Sequence, residues 1–417
     1  MTVSASPPAA SAQNLLRHPS FVALWLSRFA SSIAVQIQGV ALAWQIYAVA
    51  RLRHDVNHAA FSVGMVGLVQ FLPLFALTLT AGEIADRHDR RAIALWCMGA
   101  EIVVSLALTA LAGAGVQALW PIYLTAAAFG ASRAFQSPAL TALGPMLVPR
   151  ELLPKAIAWN SLAWQTASIL GPAVGGLLCA ASPTVAYGVA VGLFLVGIAA
   201  MALIRGETRP PPPTANRWTL VKEGLAYVWD NKIVLGAISL DLFAVLLGGA
   251  TALLPVFARD VLHVGPEGFG VLRAGPAVGA ALVAVLLAWR PIHRKAGLVM
   301  FAGVAAFGAA TVVFALSKSL ALSVAALAVL GGADMLSVFI RQTLVQVVTP
   351  DAMRGRVGAV SNVFIGASNE LGEFESGVAA RFLGAVGAAL FGGIGALVVT
   401  GAWARLFPAL RKADRLT

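Results

Sequence analysis

Nine side chains with a full charge interrupt the apolar runs of this sequence: Arg28, Glu101, Arg133, Asp241, Arg273, Asp334, Arg341, Glu370 and Glu373. A charge at the centre of a membrane helix costs about 2.5–3.5 kcal/mol on insertion scales, so such groups face a partner or a wet cavity. Carboxylates that take up and release protons as a cavity changes sides are what proton-coupled transport requires. Asp334 and Arg341 are seven residues apart, two turns along one helix face, and Glu370 and Glu373 are three apart, so their like charges share a face. Gln36 and Gln136 add neutral hydrogen-bonding capacity to the same runs. These residues form the expected substrate and proton pathway, with Arg133, Asp334, Glu370, Glu373 and Asp241 foremost. The alternative for any one of them is a fixed ion pair that holds helices together.

Such side chains need long helices to carry them, and the composition provides these. The chain has 417 residues, 59% hydrophobic and 11% charged, with a mean hydropathy of +0.84. Apolar runs of about 20 residues, enough to cross a bilayer as a helix, recur from end to end. A barrel is excluded because its strands alternate in polarity. The fold class is therefore an all-α polytopic membrane protein. The formal charge of +11 does not point to nucleic acid: of 29 Lys and Arg, twenty fall on one set of alternating loops and the termini, five on the opposite set and four inside helices. That asymmetry is the positive-inside pattern and places both termini in the cytoplasm. Cys97 and Cys179 lie in apolar runs and read as packing residues. The first twenty residues lack the apolar core of a signal peptide.

In order, residues 1–19 read as a disordered tail and 20–205 as six helices (about 21–48, 62–83, 92–113, 120–147, 154–181 and 184–204), with Arg51 to Ala60 a polar loop. A linker, 206–232, contains Pro210 to Pro213, a stiff spacer, and then an amphipathic helix for the inner membrane surface. Six more helices fill 233–408 (about 233–257, 267–289, 297–316, 320–347, 357–382 and 388–407), and 409–417 is a basic cytoplasmic tail. The halves superpose: Gly67, Gln70 and Pro73 on Gly270, Arg273 and Pro276, then Val148-Pro149 on Thr349-Pro350 and Lys155 on Arg356. Parallel repeats of this kind put the substrate site at mid-membrane between the halves. On that superposition Arg133 falls opposite Asp334, Pro172 opposite Glu373, and Arg28 opposite Asp241 if the first loop carries an insertion. Twelve transmembrane helices in two pseudo-symmetric six-helix bundles are expected.

Two local patterns add to this. Gly82-Glu83-Ile84-Ala85-Asp86-Arg87-His88-Asp89-Arg90-Arg91 is a short charged turn between two apolar runs. Its arginines can pair with carboxylates at neighbouring helix ends, which makes Gly82, Asp86, Arg87, Arg90 and Arg91 a candidate conformational clasp. In the fifth helix, Gly171, Gly175 and Gly176 allow another helix to come close, while Pro172 frees a carbonyl and bends the helix. No catalytic constellation is visible. Histidines 18, 54, 58, 88, 263 and 293 are scattered, and neither a Walker sequence nor a dinucleotide fingerprint occurs. The chain reads as neither an enzyme nor a metal binder.

The turn, G-x-x-x-D-R-x-x-R-R, closely resembles the helix 2–3 signature of the major facilitator superfamily. The G-P-x-x-G-G of the fifth helix resembles that superfamily's exporter element. Arg133 with Gln136 is similar to its helix 4 element, with Ser137 where glycine is usual. Glu223 to Val228, Asp86 to Arg91 and Pro350 to Arg356 resemble the enterobactin-exporter-like branch, which includes siderophore exporters and multidrug efflux proteins. The resemblance implies a bacterial inner-membrane transporter working by alternating access, driven by the proton gradient and without a cofactor. Its partners would be a small amphipathic molecule, protons and lipids; it would act as a monomer. A multidrug antiporter is the alternative, and a nutrient importer a remoter one that the glycine-proline element opposes. The acid-rich run Asn369 to Glu375 departs from the branch and leaves a cationic substrate open.

Overall fold

The computed structural model describes residues 15–209, 217–290, 292 and 294–414, and among these there is no β-strand. The long helices of the first half are α1 (Pro19–Ala50), α2 (Val56–Arg87), α3 (Arg90–Gly113), α4 (Leu119–Leu143), α5 (Leu153–Ala181) and α6 (Pro183–Ala202). A shorter α7 (Arg217–Asp230) leads into α8 (Lys232–Leu247) and a three-residue α9 (Leu254–Val256). Then follow α10 (Pro266–Trp289), α11 (Ala296–Leu316), α12 (Leu320–Val348), α13 (Asp351–Leu406) and a last turn, α14 (Pro408–Arg411). Among the described residues, ten stretches are long and apolar enough to cross a membrane. One of them, Met353–Leu406, holds Gly384 at φ 73 and ψ 166, a left-handed conformation that separates two helical arms. Leu119–Leu143 is a further 25-residue helix outside the ten.

Local chemistry fixes where these helices start. Asp55 accepts the His58 amide at 2.8 Å and starts α2 at Val56, so the loop expected to run to Ala60 is shorter. Asp89 caps α3, Ser182 caps α6 and Asn231 caps α8. The expected disordered segment 1–19 also ends sooner: Leu15–Arg17 is a 3-10 turn whose Leu15 packs with Phe21, Leu152 and Ala156. The tail is docked as well, since Leu410 is fully buried and the Lys295 amide donates to Asp414 at 2.9 Å. The largest departure is the seventh expected helix. It breaks at Gly248-Gly249 and continues as a 3-10 turn, α9 and a π-helical turn, Phe257–Val261.

α1 to α6 pack on one another, and α8 to α13 pack likewise; the two sets meet through α2 against α13 and α5 against α10. Outward faces are apolar. Trp96 is 82% exposed, Trp120 70% and Trp289 81%, and each sits near the end of its helix, as interfacial aromatic residues do. The amphipathic α7 docks through Val228 into a cluster with Val234, Ile238, Val345 and Val357, and leaves Leu225 and Trp229 outward. The proline run 210–213 lies outside the described residues.

The contacts between halves sit near the end of the molecule opposite the chain termini, called here the far end. A Cβ on Gly64 would lie 2.5 Å from the Gly377 Cα, and one on Gly176 would lie 2.8 Å from the Gly270 Cα. Ion pairs reinforce them: Arg51 to Asp260 at 3.3 Å and Arg381 to Asp55 at 3.5 Å, with the Tyr47 hydroxyl donating to Asp260. Toward the termini the halves part. Gly355, Gly358 and Gly366 on α13 have no atom within 4 Å of a built Cβ, and between Ile157 and Trp164 on α5 only Ala163 is buried. The structure is thus closed at the far end and open toward the termini.

This arrangement gives a conformational prediction. Gly176→Val has no room in the far-end contact, so the closed form should lose population. Spin labels at positions 53 and 263 should show a longer mean separation in the variant than in the wild type, with the chain still folded.

Candidate functional site

The candidate pathway residues divide into three groups. The first bridges the halves. Arg133 of α4 donates from Nη1 to Glu370 Oε1 of α13 at 2.9 Å and approaches Gln70 Oε1 of α2 at 3.5 Å. α2 brings Gly67 against this stretch of α13, where a Cβ would meet the Glu373 side chain at 2.8 Å. That glycine allows the two helices to touch where Glu370 and Glu373 project. Glu373 lies within the electrostatic reach of Glu370, Arg273 and Arg133.

The second group lines a cavity of about 200 Å3 between the halves. Gln36 of α1, Ser168 and Pro172 of α5, Thr251 beyond the break after α8, and Arg273 and Pro276 of α10 form its walls. Gly171 seats α5 against Gln36, Gly175 seats it against Ile37 of α1, and Gly176 abuts Gly270. The glycine-proline element therefore packs α5 on its own half and against the opposite half at the cavity edge. Gln165 adds a hydrogen bond across the same seam, to the Ala277 carbonyl at 3.1 Å.

The third group is buried inside single halves. Arg341 of α12 pairs with Asp241 of α8 at 3.2 Å, with side chains 2% and 8% exposed. Asp334, one face of α12 with Arg341, lines a small void with Asp241, Phe307 and Ser337. In the first half, fully buried Glu101 accepts from Gln136 at 2.9 Å, while its second oxygen has no hydrogen-bond partner. Arg28 is half-buried on α1, two turns nearer the termini than Gln36, and makes no hydrogen bond or ion pair among the described residues. The structure thus brings Gln36 and Arg273 together at the cavity and joins Arg133 to Glu370. It holds Asp241, Asp334 and Arg341 apart, in the second half. Ser168, Thr251, and the far-end residues Tyr47, Asp55, Asp260 and Arg381 were not singled out from sequence. The Gly248-Gly249 pair was the available signal for Thr251, since paired glycines mark helix breaks.

The charged turn after α2 makes carbonyl contacts beside the carboxylate pairing expected of it. Arg90 Nη1 donates to the Ala142 carbonyl at 3.2 Å, at the end of α4. Arg91 donates to the Met201 and Ala202 carbonyls at 3.3 and 2.5 Å, at the end of α6. Two carboxylate pairs lie within the turn's own chain segment: Arg87 with Glu83 at 2.7 Å and Arg90 with Asp86 at 4.0 Å. Gly82 is buried beside them. Arginines at helix C-termini satisfy orphan carbonyls and oppose the helix dipole. These contacts all lie in the first six helices, so the turn ties that half together.

Asp89 completes the turn. Partial burial raises its pKa, but hydrogen bonds from Thr208 at 2.6 Å and from the Arg91 and Ala92 amides, with the Arg91 charge, leave it lowered overall. A lowered folded-state value means the stabilisation is complete above the ordinary Asp value of about 3.9. It fades as pH falls through the lower, folded value. Asp89→Ala should therefore cost about 1 kcal/mol at neutral pH. In thermal unfolding, the gap from wild type should narrow in acid.

Comparison with known proteins agrees with this architecture. A family model described as transmembrane secretion effector matches residues 10–416. The enterobactin exporter EntS of Citrobacter koseri is 28% identical over 350 residues, covering 83% of this chain and 82% of that protein. The Shigella boydii protein of the same name is 29% identical over the same length and shares of each chain. Among solved structures, a POT family transporter in complex with 5-aminolevulinic acid matches with a TM-score of 0.74 at 11% identity, covering 96% of this chain and 98% of that one. A bacterial homologue of the iron transporter ferroportin, in an inward-facing state, matches with a TM-score of 0.67 at 17% identity, covering 94% and 99%. These structural likenesses show the fold. The chain is a multi-pass inner-membrane protein of the transmembrane secretion effector family of the major facilitator superfamily, similar to enterobactin exporters.

Proposed function

We propose that this protein is a proton-coupled exporter of a siderophore-like amphipathic small molecule, working by alternating access. The observation that carries the reading is the Arg133–Glu370 pair, which crosses from one half to the other beside a polar cavity. Charges supplied by both halves at mid-membrane would exchange partners as the halves move relative to each other. The far-end ion pairs and glycine contacts belong to one such state, with the cavity turned toward the termini. The excess of Lys and Arg on the loops of that end supports a cytoplasmic position for it. Substrate would thus enter from inside.

Glu370 and Glu373 are the proposed proton carriers, with Arg133 and Arg273 as the cations they exchange. Asp241, Asp334 and Arg341 are proposed as a buried charge centre that holds the second half in shape as it moves. The Gly171-Pro172 element supports the export direction by its resemblance to exporters. Enterobactin, the compound in the relatives' names, is the test substrate. In proteoliposomes holding the full chain, its movement should follow an imposed proton gradient and stop when an uncoupler collapses it. Movement that is indifferent to the gradient would overturn proton coupling.

A further inference from the structure

We infer that the central cavity is an anion site, built for one anionic oxygen group of the exported molecule and centred on Arg273. The inference rests on the export reading in taking this cavity as the substrate site, and it goes further by assigning the charge of the cargo. Arg273 lines the cavity from α10 and extends toward α1, where its Nη2 lies 3.9 Å from a Cβ built on Gly39. Among the described residues it makes no ion pair and no hydrogen bond. The other arginine at this level, Arg133, already holds Glu370. Glu373 acts on Arg273 only from beyond ion-pair distance, and a half-buried guanidinium at mid-membrane with no carboxylate in direct contact is costly, a cost that an incoming anion lowers.

The rest of the wall fits the same ligand. Gln36, Ser168 and Thr251 line the cavity, and none of the three side chains is hydrogen-bonded to another described residue. An amide and two hydroxyls are therefore free to meet a ligand. Among the described residues no carboxylate lines the cavity, so a cation entering it would meet Arg273 before any carboxylate. A guanidinium offers a planar pair of donors that matches a carboxylate. Pro172, Leu254 and Pro276 give the cavity an apolar side for the group that bears the acid. The acid-rich stretch of α13 leaves a cationic cargo open when read as sequence alone. In the structure Glu370 is committed to Arg133, and neither Glu370 nor Glu373 is part of the cavity wall.

The probe is benzoate, one aromatic ring with one carboxylate, set against the uncharged benzamide. Ligand that binds only the folded protein raises its thermal stability by mass action. The full chain in detergent should be stabilised by benzoate and much less by benzamide. Arg273→Gln should weaken the benzoate response by at least about tenfold, the scale of a charge-assisted hydrogen bond, and Arg273→Lys should keep part of it. Equal stabilisation by both probes, or an unchanged benzoate response in Arg273→Gln, overturns the inference. So does loss of the response in Arg28→Gln with retention in Arg273→Gln, which would move the anion elsewhere. If Arg273→Gln does not fold, the benzoate-over-benzamide preference of the wild type decides alone. Benzoate binding without gradient-driven enterobactin flux would sink the export reading and leave the anion site standing. Gradient-driven flux with no benzoate preference would do the reverse.

Discussion

Gradient-driven enterobactin movement is expected to fall by about 10- to 100-fold in Arg133→Gln, the range for a lost hydrogen bond to a charged group. Arg133 reaches Glu370 at 2.9 Å from the other half, and its charge also acts on Glu373. Without it, two carboxylates three residues apart on α13 are left with Arg273 as the remaining nearby cation. The side chain of Arg133 is 40% exposed and that of Glu370 12%, so the loss should fall on transport more than on folding. Glu370→Gln should produce a similar loss. The double variant should be scarcely worse than either single one, since both remove the same interaction. Initial rates in proteoliposomes measure this, and strictly multiplicative losses would show that the two residues act separately.

The second large effect is on stability. Arg341→Met should destabilise the protein by about 3–5 kcal/mol, because it leaves a buried carboxylate without its guanidinium. Arg341 is 2% exposed, with Asp241 at 3.2 Å and Asp334 acting on the same centre. Its Nε has no hydrogen-bond partner, so the site is held by charge more than by complete hydrogen bonding. The charge-free combination Asp241→Asn, Asp334→Asn, Arg341→Met should recover more than half of the loss. Thermal unfolding in detergent would report both. A single variant as stable as wild type would show that water already reaches this centre.

The fold was legible because membrane insertion leaves few options. Apolar length gave the helices, the positive loops gave an orientation to test, and the superposition of Gly67 on Gly270 identified two glycines that both proved to sit at contacts between halves. Partners were harder to read. The turn arginines Arg90 and Arg91 meet carbonyls at the ends of α4 and α6, and carbonyls have no signature in sequence. Arg133 and Glu370 are 237 positions apart, so their pairing depends on how the halves dock. Asp241 was aligned with Arg28 by the repeat, yet its partner is Arg341 in its own half. Equivalent positions mark equivalent places in two bundles, and the packing of each bundle then chooses the partner.

The break in the seventh helix was missed for a related reason. Its apolar run is continuous through Gly248-Gly249, and hydropathy does not register backbone geometry. The glycines permit the break. The packing of Gly249 against the Gly372 carbonyl and of Gly248 against the Phe307 ring shows how tightly α11 and α13 close on it. That turn carries Thr251 to the cavity wall. The far-end pairs, Arg51 with Asp260 and Arg381 with Asp55, likewise join residues at helix ends and loops that look merely solvated in sequence.

The central claim is that two halves expose one shared cavity to each side of the membrane in turn. Its most direct test is a pair of distances in the reconstituted full chain, one between spin labels across the far end (53 and 263) and one across the end bearing the termini (158 and 359). The account predicts two populations, with the far-end distance lengthening as the other shortens when enterobactin and a proton gradient are supplied. A single population, closed at the far end under every condition, would contradict it.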